Sequence, residues 1–365
     1  MMKLGIVGLP NVGKSTLFNA ITRAGAEVAN YPFCTIEPNV GVVAVPDPRV
    51  DRLAQIFHPK KTIYATIEFS DIAGLVRGAS RGEGLGNKFL GHIREVAALV
   101  HVVRCFDDEN IVSVSGKTDP LADIETINTE LILADIETIE KRMEKSKKAA
   151  RAHAAAGSEL DLLARIYDFL GKGQPARKMV LTEEEKAYVQ SLFLLSFKPV
   201  IYGINVAEED AAEGTPSPYA EQVEAYARQE GEASVIISAK VEEEISALAG
   251  EERQAFLELM GIREPGLDKL IRASYRLLCL ISFLTCGSDE CRAWTIPQGT
   301  RAPQAAGTIH TDFERGFIRA ETISYEKLME CEGNFAKARE KGLIRSEGKE
   351  YEVQDGDVMN FLFHV

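Results

Sequence analysis

The chain has 365 residues, 45% of them hydrophobic and 27% charged, with a net charge of -13. These are the values of a globular chain long enough for two or three domains, and they exclude a disordered one. The negative balance excludes coating of nucleic acid by bulk electrostatics, so any such contact needs a local basic patch.

No apolar run reaches the roughly 18 to 20 residues that a membrane helix needs, and the N-terminus enters a strand rather than a signal peptide. We therefore expect a cytoplasmic monomer with neither a membrane nor a DNA partner. Six cysteines, Cys34, Cys105, Cys279, Cys286, Cys291 and Cys331, lie without a CxxC or zinc spacing, which suits reduced thiols. Cys34 falls in a loop near the first motif, where it reads as an ordinary small apolar residue or, alternatively, as a redox-sensitive thiol.

Lys3 to Val7 reads as a short buried strand and Thr16 to Ile21 as the opening turns of a helix. Between them Gly8-Leu9-Pro10-Asn11-Val12-Gly13-Lys14-Ser15 has two glycines five positions apart followed by Lys and a hydroxyl. This is the P-loop pattern: glycines let successive backbone N–H groups turn toward one anion, and the helix N-terminus adds its dipole. Asn11, Val12, Gly13, Lys14, Ser15 and Thr16 are the expected phosphate binders. Lys14 is the expected catalytic cation and Ser15 a Mg²⁺ ligand.

Tyr31 to Asn39 is a Pro-punctuated loop leading to a strand over Val40–Val45, and its Thr35 is placed to supply Mg²⁺ with a second protein oxygen. A strand over Ile63–Phe69 runs into Asp71-Ile72-Ala73-Gly74, a DxxG motif. Asp71 is expected to hold Mg²⁺ through water and the Gly74 N–H to meet the γ-phosphate. Gly74, Gly78, Gly82, Gly84 and Gly86 follow closely, a loop composed to move. Leu75 stands where many GTPases carry a water-orienting glutamine, and Leu cannot orient water. Asn11 occupies a place that several potassium-stimulated P-loop hydrolases use to hold K⁺, so K⁺ is a second candidate cation.

Further strands are read at Val96–Cys105, Lys198–Asn205 and Ser234–Ile237. The third leads into Ser238-Ala239-Lys240. The order P-loop, Thr, DxxG, Asn205-Val206-Ala207-Glu208, Ser238-Ala239-Lys240 is that of a Ras-like α/β domain, with one alteration: the base-reading motif is normally Asn-Lys-x-Asp. Asn205, Val206, Glu208, Ser238 and Ala239 are the expected base readers.

Between these strands, Ile132, Ile136, Ile139 and Met143, then Leu160, Leu163, Tyr167 and Leu170, recur at helical spacing on either side of Gly157, which predicts an antiparallel helical hairpin. Lys141, Arg142, Lys145, Lys147, Lys148 and Arg151 make its tip basic, a face for RNA or for solvent. From about Ile281 short strand-like runs (Ile281–Thr285, Trp294–Ile296, Gly316–Ile323, Tyr351–Val353, Val358–Val365) and a helix around Tyr325–Glu332 predict a small α+β domain.

These motifs, with Arg292-Ala293-Trp294-Thr295-Ile296-Pro297 and Asp355-Gly356-Asp357-Val358, closely resemble the Obg-like ATPase family of the YchF type over essentially the whole length. The resemblance implies a Ras-like domain (1–127 and 197–280), an inserted coiled-coil hairpin (128–196) and a C-terminal TGS domain of ubiquitin-like β-grasp fold (281–365). It also implies slow hydrolysis of ATP rather than GTP, with Mg²⁺, and association with the ribosome, on its large subunit or as a whole, in translation or stress regulation. Leu75 agrees with the family's hydrophobic residue at that place. Ser113 stands where some members have a histidine suspected in catalysis, so no catalytic base carries over. Two alternatives stay open: an ordinary GTPase, or an ATPase acting on a non-ribosomal or redox partner.

Overall fold

The computed structural model describes residues 3–25, 39–72, 85–108, 117–150, 157–212 and 217–364. β1 (Lys3–Val7) enters the P-loop, which opens into α1 (Lys14–Ala24). Next come β2 (Val40–Ala44), α2 (Pro48–Phe57), β3 (Lys61–Ile63), β4 (Thr66–Asp71), α3 (Leu85–Glu95) and β5 (Ala98–Arg104). The long helix α4 (Pro120–Ala150) follows, with α5 (Gly157–Gly171), α6 (Glu183–Ser191), β6 (Val200–Asn205), α7 (Pro218–Glu230) and β7 (Ala233–Ile237). After α8 (Ala239–Ile245), α9 (Gly250–Leu259) and α10 (Gly266–Leu277) the chain passes into β8 (Leu280–Cys286) and β9 (Glu290–Pro297). It ends with α11 (Ala302–Ile309), α12 (Thr311–Arg315), β10 (Phe317–Ser324), α13 (Tyr325–Glu330), α14 (Phe335–Glu340), β11 (Arg345–Glu347) and β12 (Asp357–Phe363).

The chain divides into two compact units, Met1–Val42 with Glu68–Leu270 and Val43–Ile67 with Ile271–Val365. The first is built on a sheet of order β2-β4-β1-β5-β6-β7. β1 pairs in parallel with β4 and β5, and β5, β6 and β7 continue the parallel ladder. β5 and β6 are buried at every position, as strands covered on both faces must be, which is why their sequences are almost unbroken apolar runs. β1, β6 and β7 all deliver the chain to loops at one end of this sheet.

The helical hairpin is formed by α4 and α5. Ile132 and Ile139 of α4 pack with Leu162, Leu163, Ile166 and Leu170 of α5, joined by Val189 and Leu194. α4 begins at Pro120, so the expected boundary at 127/128 falls inside a helix. Two polar contacts root the hairpin. Asp135 accepts the backbone N–H of Leu195 and of Ser196, each at 2.7 Å, and the Ser196 hydroxyl at 2.6 Å. Burial still pushes its carboxyl up to about 6, those hydrogen bonds opposing the shift. Arg177 pairs with Glu232 at 3.0 Å and donates to Asn128 of α4. At the basic end of the hairpin Arg142 is engaged by Glu159 and Lys141 by Glu137, while Lys145, Lys147 and Lys148 are exposed.

The second unit has a sheet of order β11-β10-β12-β8-β9-β3. β8 and β9 form an antiparallel hairpin, β12 lies parallel to β8, and β10 pairs antiparallel with β12 and β11. α11 sets Ala302, Ala305 and Ala306 against Phe283, Ile296, Met359 and Phe361, small residues that bring the helix close to the sheet. Hairpin, crossing helix and a central strand parallel to the first make the β-grasp arrangement.

Four sequence expectations are corrected here. The run Ile63–Phe69 is not one strand. It divides between β3, which pairs in parallel with β9 of the second sheet, and β4, which pairs with β1 of the first. Residues 43–67, expected in the Ras-like domain, therefore belong to the second unit. Arg49 fastens them there, bound to Asp47 beside it and to Asp355 at 2.8 Å. α2, which periodicity did not suggest, starts where the Asp47 side chain caps the Arg49 N–H and Pro48 sits at the first helical position. Tyr351–Val353 is an isolated bridge between Glu352 and Arg301, not a strand. The helix expected to Glu332 stops at Glu330, since Glu332 turns left-handed at φ 58°. No described helix is long and apolar enough to cross a membrane.

Candidate nucleotide-binding site

β1 hands the chain to the P-loop through Gly8, where a Cβ would stand 2.5 Å from the Val102 carbonyl oxygen of β5, so only glycine fits. Gly13 precedes α1 in a left-handed conformation, φ 96°. The first bond of α1 runs from Leu17 N to Gly13 O at 2.9 Å, which leaves the N–H groups of Lys14, Ser15 and Thr16 outside the helical ladder. With no acidic residue in the first turn, this end offers anions three donors and the helix dipole.

Lys14 is buried, and its Nζ donates to the Leu9 carbonyl at 2.7 Å across the loop. Burial lowers its pKa, a shift that Asp71 opposes. Asp71 shows the mirror image: half-buried at the end of β4, its carboxyl is raised by burial and lowered by Lys14. Burial thus penalises the charged form of each group, and their mutual attraction opposes it. A divalent cation beside Asp71, with phosphate beside Lys14, opposes that penalty further, so these residues fit a Mg²⁺-bound polyphosphate. Ser15 is exposed and lines the same cleft as Lys14.

The base motif docks directly on this loop. Asn205, buried at the end of β6, donates from Nδ2 to the Val12 carbonyl at 2.8 Å and accepts the Ala239 N–H on Oδ1 at 2.9 Å. Its amide thus joins P-loop, β6 and the start of α8. At Gly13 a Cβ would lie 2.2 Å from Asn205 Nδ2, a second reason for glycine there. Val206 extends the ladder by donating to Ile237 O at 2.9 Å. Around these residues lies a cleft of about 740 Å³ lined by Asn11, Gly13, Lys14, Ser15 and Thr16 on one side. Asn205 to Glu209 and Ser238 to Lys240 line the other.

Of the expected site residues, the cleft gathers Asn11, Gly13, Lys14, Ser15, Thr16, Asn205, Val206, Glu208, Ser238 and Ala239. Val12 is buried just beneath, and Asp71 is set against Lys14 through its charge. Thr35, Gly74, Leu75, Cys34 and Ser113 lie outside the described residues.

Sequence reasoning passed over several groups. Phe106, Asp107, Asp108, Glu209 and Glu243 complete the lining, and Glu208 is bound by Lys240 at 2.6 Å. Asp107 and Asp108 directly follow the Val96–Cys105 run, a strand-end position that marks them as cleft candidates in an α/β sheet. His101 is buried in β5 beside Tyr202, with ring centroids 5.7 Å apart. Burial, then Arg177 and Lys14, bring its pKa down to about 3, so it is a neutral core residue and not a proton carrier at neutral pH.

Comparison with known proteins agrees with this arrangement. The family model YchF-GTPase_C, described as a protein of unknown function, matches residues 280–364, and MMR_HSR1, the 50S ribosome-binding GTPase model, matches residues 3–130. A protein of Bacillus subtilis called ribosome-binding ATPase YchF is 55% identical over 99% of both chains. The chain belongs to the YchF family. The Escherichia coli O157:H7 YchF is 54% identical over 100% of this chain and 99% of its own. The solved Schizosaccharomyces pombe YchF, titled a GTPase, is 39% identical, superposes with a TM-score of 0.90, and is matched over 99% of this chain and 97% of its own. The two relatives are named for different nucleotides, which makes the residues expected to read the base the informative ones in a YchF protein.

Proposed function

We propose that this protein binds ATP with Mg²⁺, hydrolyses it slowly, and acts as a nucleotide-dependent switch on the ribosome in the cytoplasm. The observation that carries the nucleotide assignment is Asn205, which ties the P-loop carbonyl of Val12 to the start of α8 within one cleft. Phosphates and base are then read by groups fixed to each other. Lys14 supplies charge to the phosphates, Ser15 and Asp71 hold Mg²⁺ with Thr35, and Asn11 contributes to a K⁺ site. The loop N–H groups of Gly13 to Thr16 orient the phosphate chain without moving during the reaction, which is how a P-loop lowers a phosphoryl-transfer barrier.

Adenine is favoured over guanine by what the motif lacks. A Ras-like aspartate takes guanine N1–H and N2–H together, but Glu208 is one methylene longer, and Val206 replaces the lysine that packs over the base. Asn205, the Val206 backbone, Ser238 and Ala239 remain to meet adenine. With Leu75 in place of a water-orienting glutamine, turnover is slow until a partner or K⁺ completes the site. Ribosome association rests on relatives called ribosome-binding ATPases that are more than half identical over nearly their full length. The β-grasp unit and the exposed lysines of the hairpin are its candidate contacts. We keep the reading of a monomer with a Ras-like part, an inserted hairpin and a C-terminal TGS part, the segment 43–67 packing with the last.

The test is phosphate release from ATP by the purified chain and by Lys14→Ala, with co-sedimentation with ribosomes run with and without a non-hydrolysable ATP analogue. The proposal expects slow release that Lys14→Ala abolishes and pelleting that depends on the analogue. Wild-type release by Lys14→Ala, or pelleting indifferent to nucleotide, would overturn the corresponding half.

A further inference from the structure

Glu208 does not face the cleft as a free carboxylate. Its Oε2 accepts a 2.6 Å hydrogen bond from Nζ of Lys240, a residue that follows β7 as Glu208 follows β6. The two strands run parallel in the register Asn205↔Ile237, so the loops that leave them lie side by side. Asn205 anchors the Lys240 end by accepting the N–H of Ala239, one residue before it. Both side chains line the nucleotide cleft. We propose that Lys240 is a specificity-determining residue: by occupying one carboxylate oxygen of Glu208 it withdraws the paired acceptor that guanine requires, and so commits the cleft to adenine.

The inference rests on the adenine-nucleotide reading above and adds the group that enforces it. Guanine carries adjacent donors at N1 and N2, and a carboxylate satisfies both only with two oxygens available. With Oε2 held by an ammonium, a guanine donor reaching that oxygen must share it with a bound cation, and the two remaining N–H groups of Lys240 stand beside it as further donors, so the paired contact is weakened. An unmet donor in a closed site costs affinity. Adenine has no donor at N1 or C2 and loses nothing at this point. The side chains of Glu208 and Lys240 are 37% and 69% exposed, and a pair so exposed is weak in the open cleft. A base seated over it excludes water and strengthens the bond. The surrounding charge acts the same way: the hydrogen bond that Lys240 donates to Glu208 raises its pKa, with Glu244 and Glu209 adding to the effect.

Titration calorimetry with ADP and GDP on the full-length wild type, Lys240→Met and the double variant Lys240→Met, Glu208→Gln decides the point. Lys240→Met should raise the affinity for GDP relative to ADP by about tenfold, because Glu208, released from the pair, can fold its longer side chain toward the base and offer both oxygens. The double variant should return toward the wild-type ratio, since an amide offers one acceptor oxygen. Removing a cation that faces a polyanion weakens both nucleotides together, and the ratio cancels that loss. Lys240→Ala is measured alongside and should shift the ratio in the same direction, which keeps the test open if the Met variant folds poorly. An unchanged ADP-to-GDP ratio in the single variants, with the wild type preferring ADP, overturns the role of Lys240 alone. A raised GDP affinity that persists in the double variant overturns the role of Glu208 as the released acceptor. A wild type that prefers GDP refutes instead the adenine reading on which the inference stands.

Discussion

The Asn205 side chain and the Val12 carbonyl are joined by a 2.8 Å hydrogen bond between residues 193 positions apart, and the same amide accepts the Ala239 N–H. One buried side chain thereby fixes the P-loop to the start of α8, where we propose the base is read. Asn205→Ala leaves a buried carbonyl and a buried N–H unpaired, which should destabilise the protein by about 1–3 kcal/mol and weaken nucleotide binding as well. Asn205→Asp should be worse for the loop, since a carboxylate cannot donate to Val12. Urea denaturation and nucleotide titration measure both effects. Wild-type affinity in Asn205→Ala would mean that the two loops are positioned by something else.

Gly13 sits under the same amide, left-handed and with no room for a methyl group. Gly13→Ala should cost at least about 1 kcal/mol from the backbone alone and displace Asn205 as well. We expect the variant to lose measurable nucleotide binding while the second unit, which does not contain it, keeps its fold. Binding within a few-fold of wild type would show that the loop relaxes around the added carbon.

The hairpin carries a pH signature through Asp135. Its carboxyl has a pKa of about 6 in the fold against an ordinary 3.8, so the native state holds its proton over a range where the unfolded chain has released it. Its contribution to stability is therefore greatest below about pH 4 and declines as pH rises to about 6. Asp135→Asn removes that slope and turns an amide N–H₂ toward the donors of Leu195 or Ser196, costing about 1–3 kcal/mol. In urea denaturation from pH 4 to pH 7 the deficit of Asn relative to wild type should shrink as pH rises. A deficit independent of pH contradicts the assignment.

Truncation before Ile281 is expected to fail as a way of isolating the nucleotide domain. Residues 43–67 would remain, with β3 deprived of β9 and Arg49 of Asp355. The bared strand edge and the apolar surface around it favour aggregation. Size-exclusion chromatography of the truncated chain should show loss of monomer, and a monomer of wild-type thermal stability would contradict this partition.

How much of this was legible in the sequence depended on whether a signal was local. The P-loop, β5 and β6 could be read directly, because a glycine pattern needs only its neighbours and a buried parallel strand is an apolar run. The hairpin was equally plain from Ile132, Ile136 and Ile139. Asp135 lies within that stripe, and a carboxylate among apolar positions was itself a sign of a buried acceptor. What escaped was pairing between distant segments. Nothing within Lys61–Ile63 says that its neighbour is Glu290–Arg292, and nothing beside Glu208 says that Lys240 takes its carboxylate. Asp47-Pro48 did announce α2 in local terms, as an N-cap followed by proline.

The central claim is that this YchF-family cleft serves adenine nucleotides, and the most direct measurement is kcat/KM for ATP and for GTP on the same preparation at equal Mg²⁺. Phosphate contacts are common to both substrates, so the ratio reports the base alone. An unmet guanine donor predicts a ratio of at least about tenfold in favour of ATP. A kcat/KM for GTP equal to or above that for ATP would contradict the account and return the chain to the ordinary GTPases.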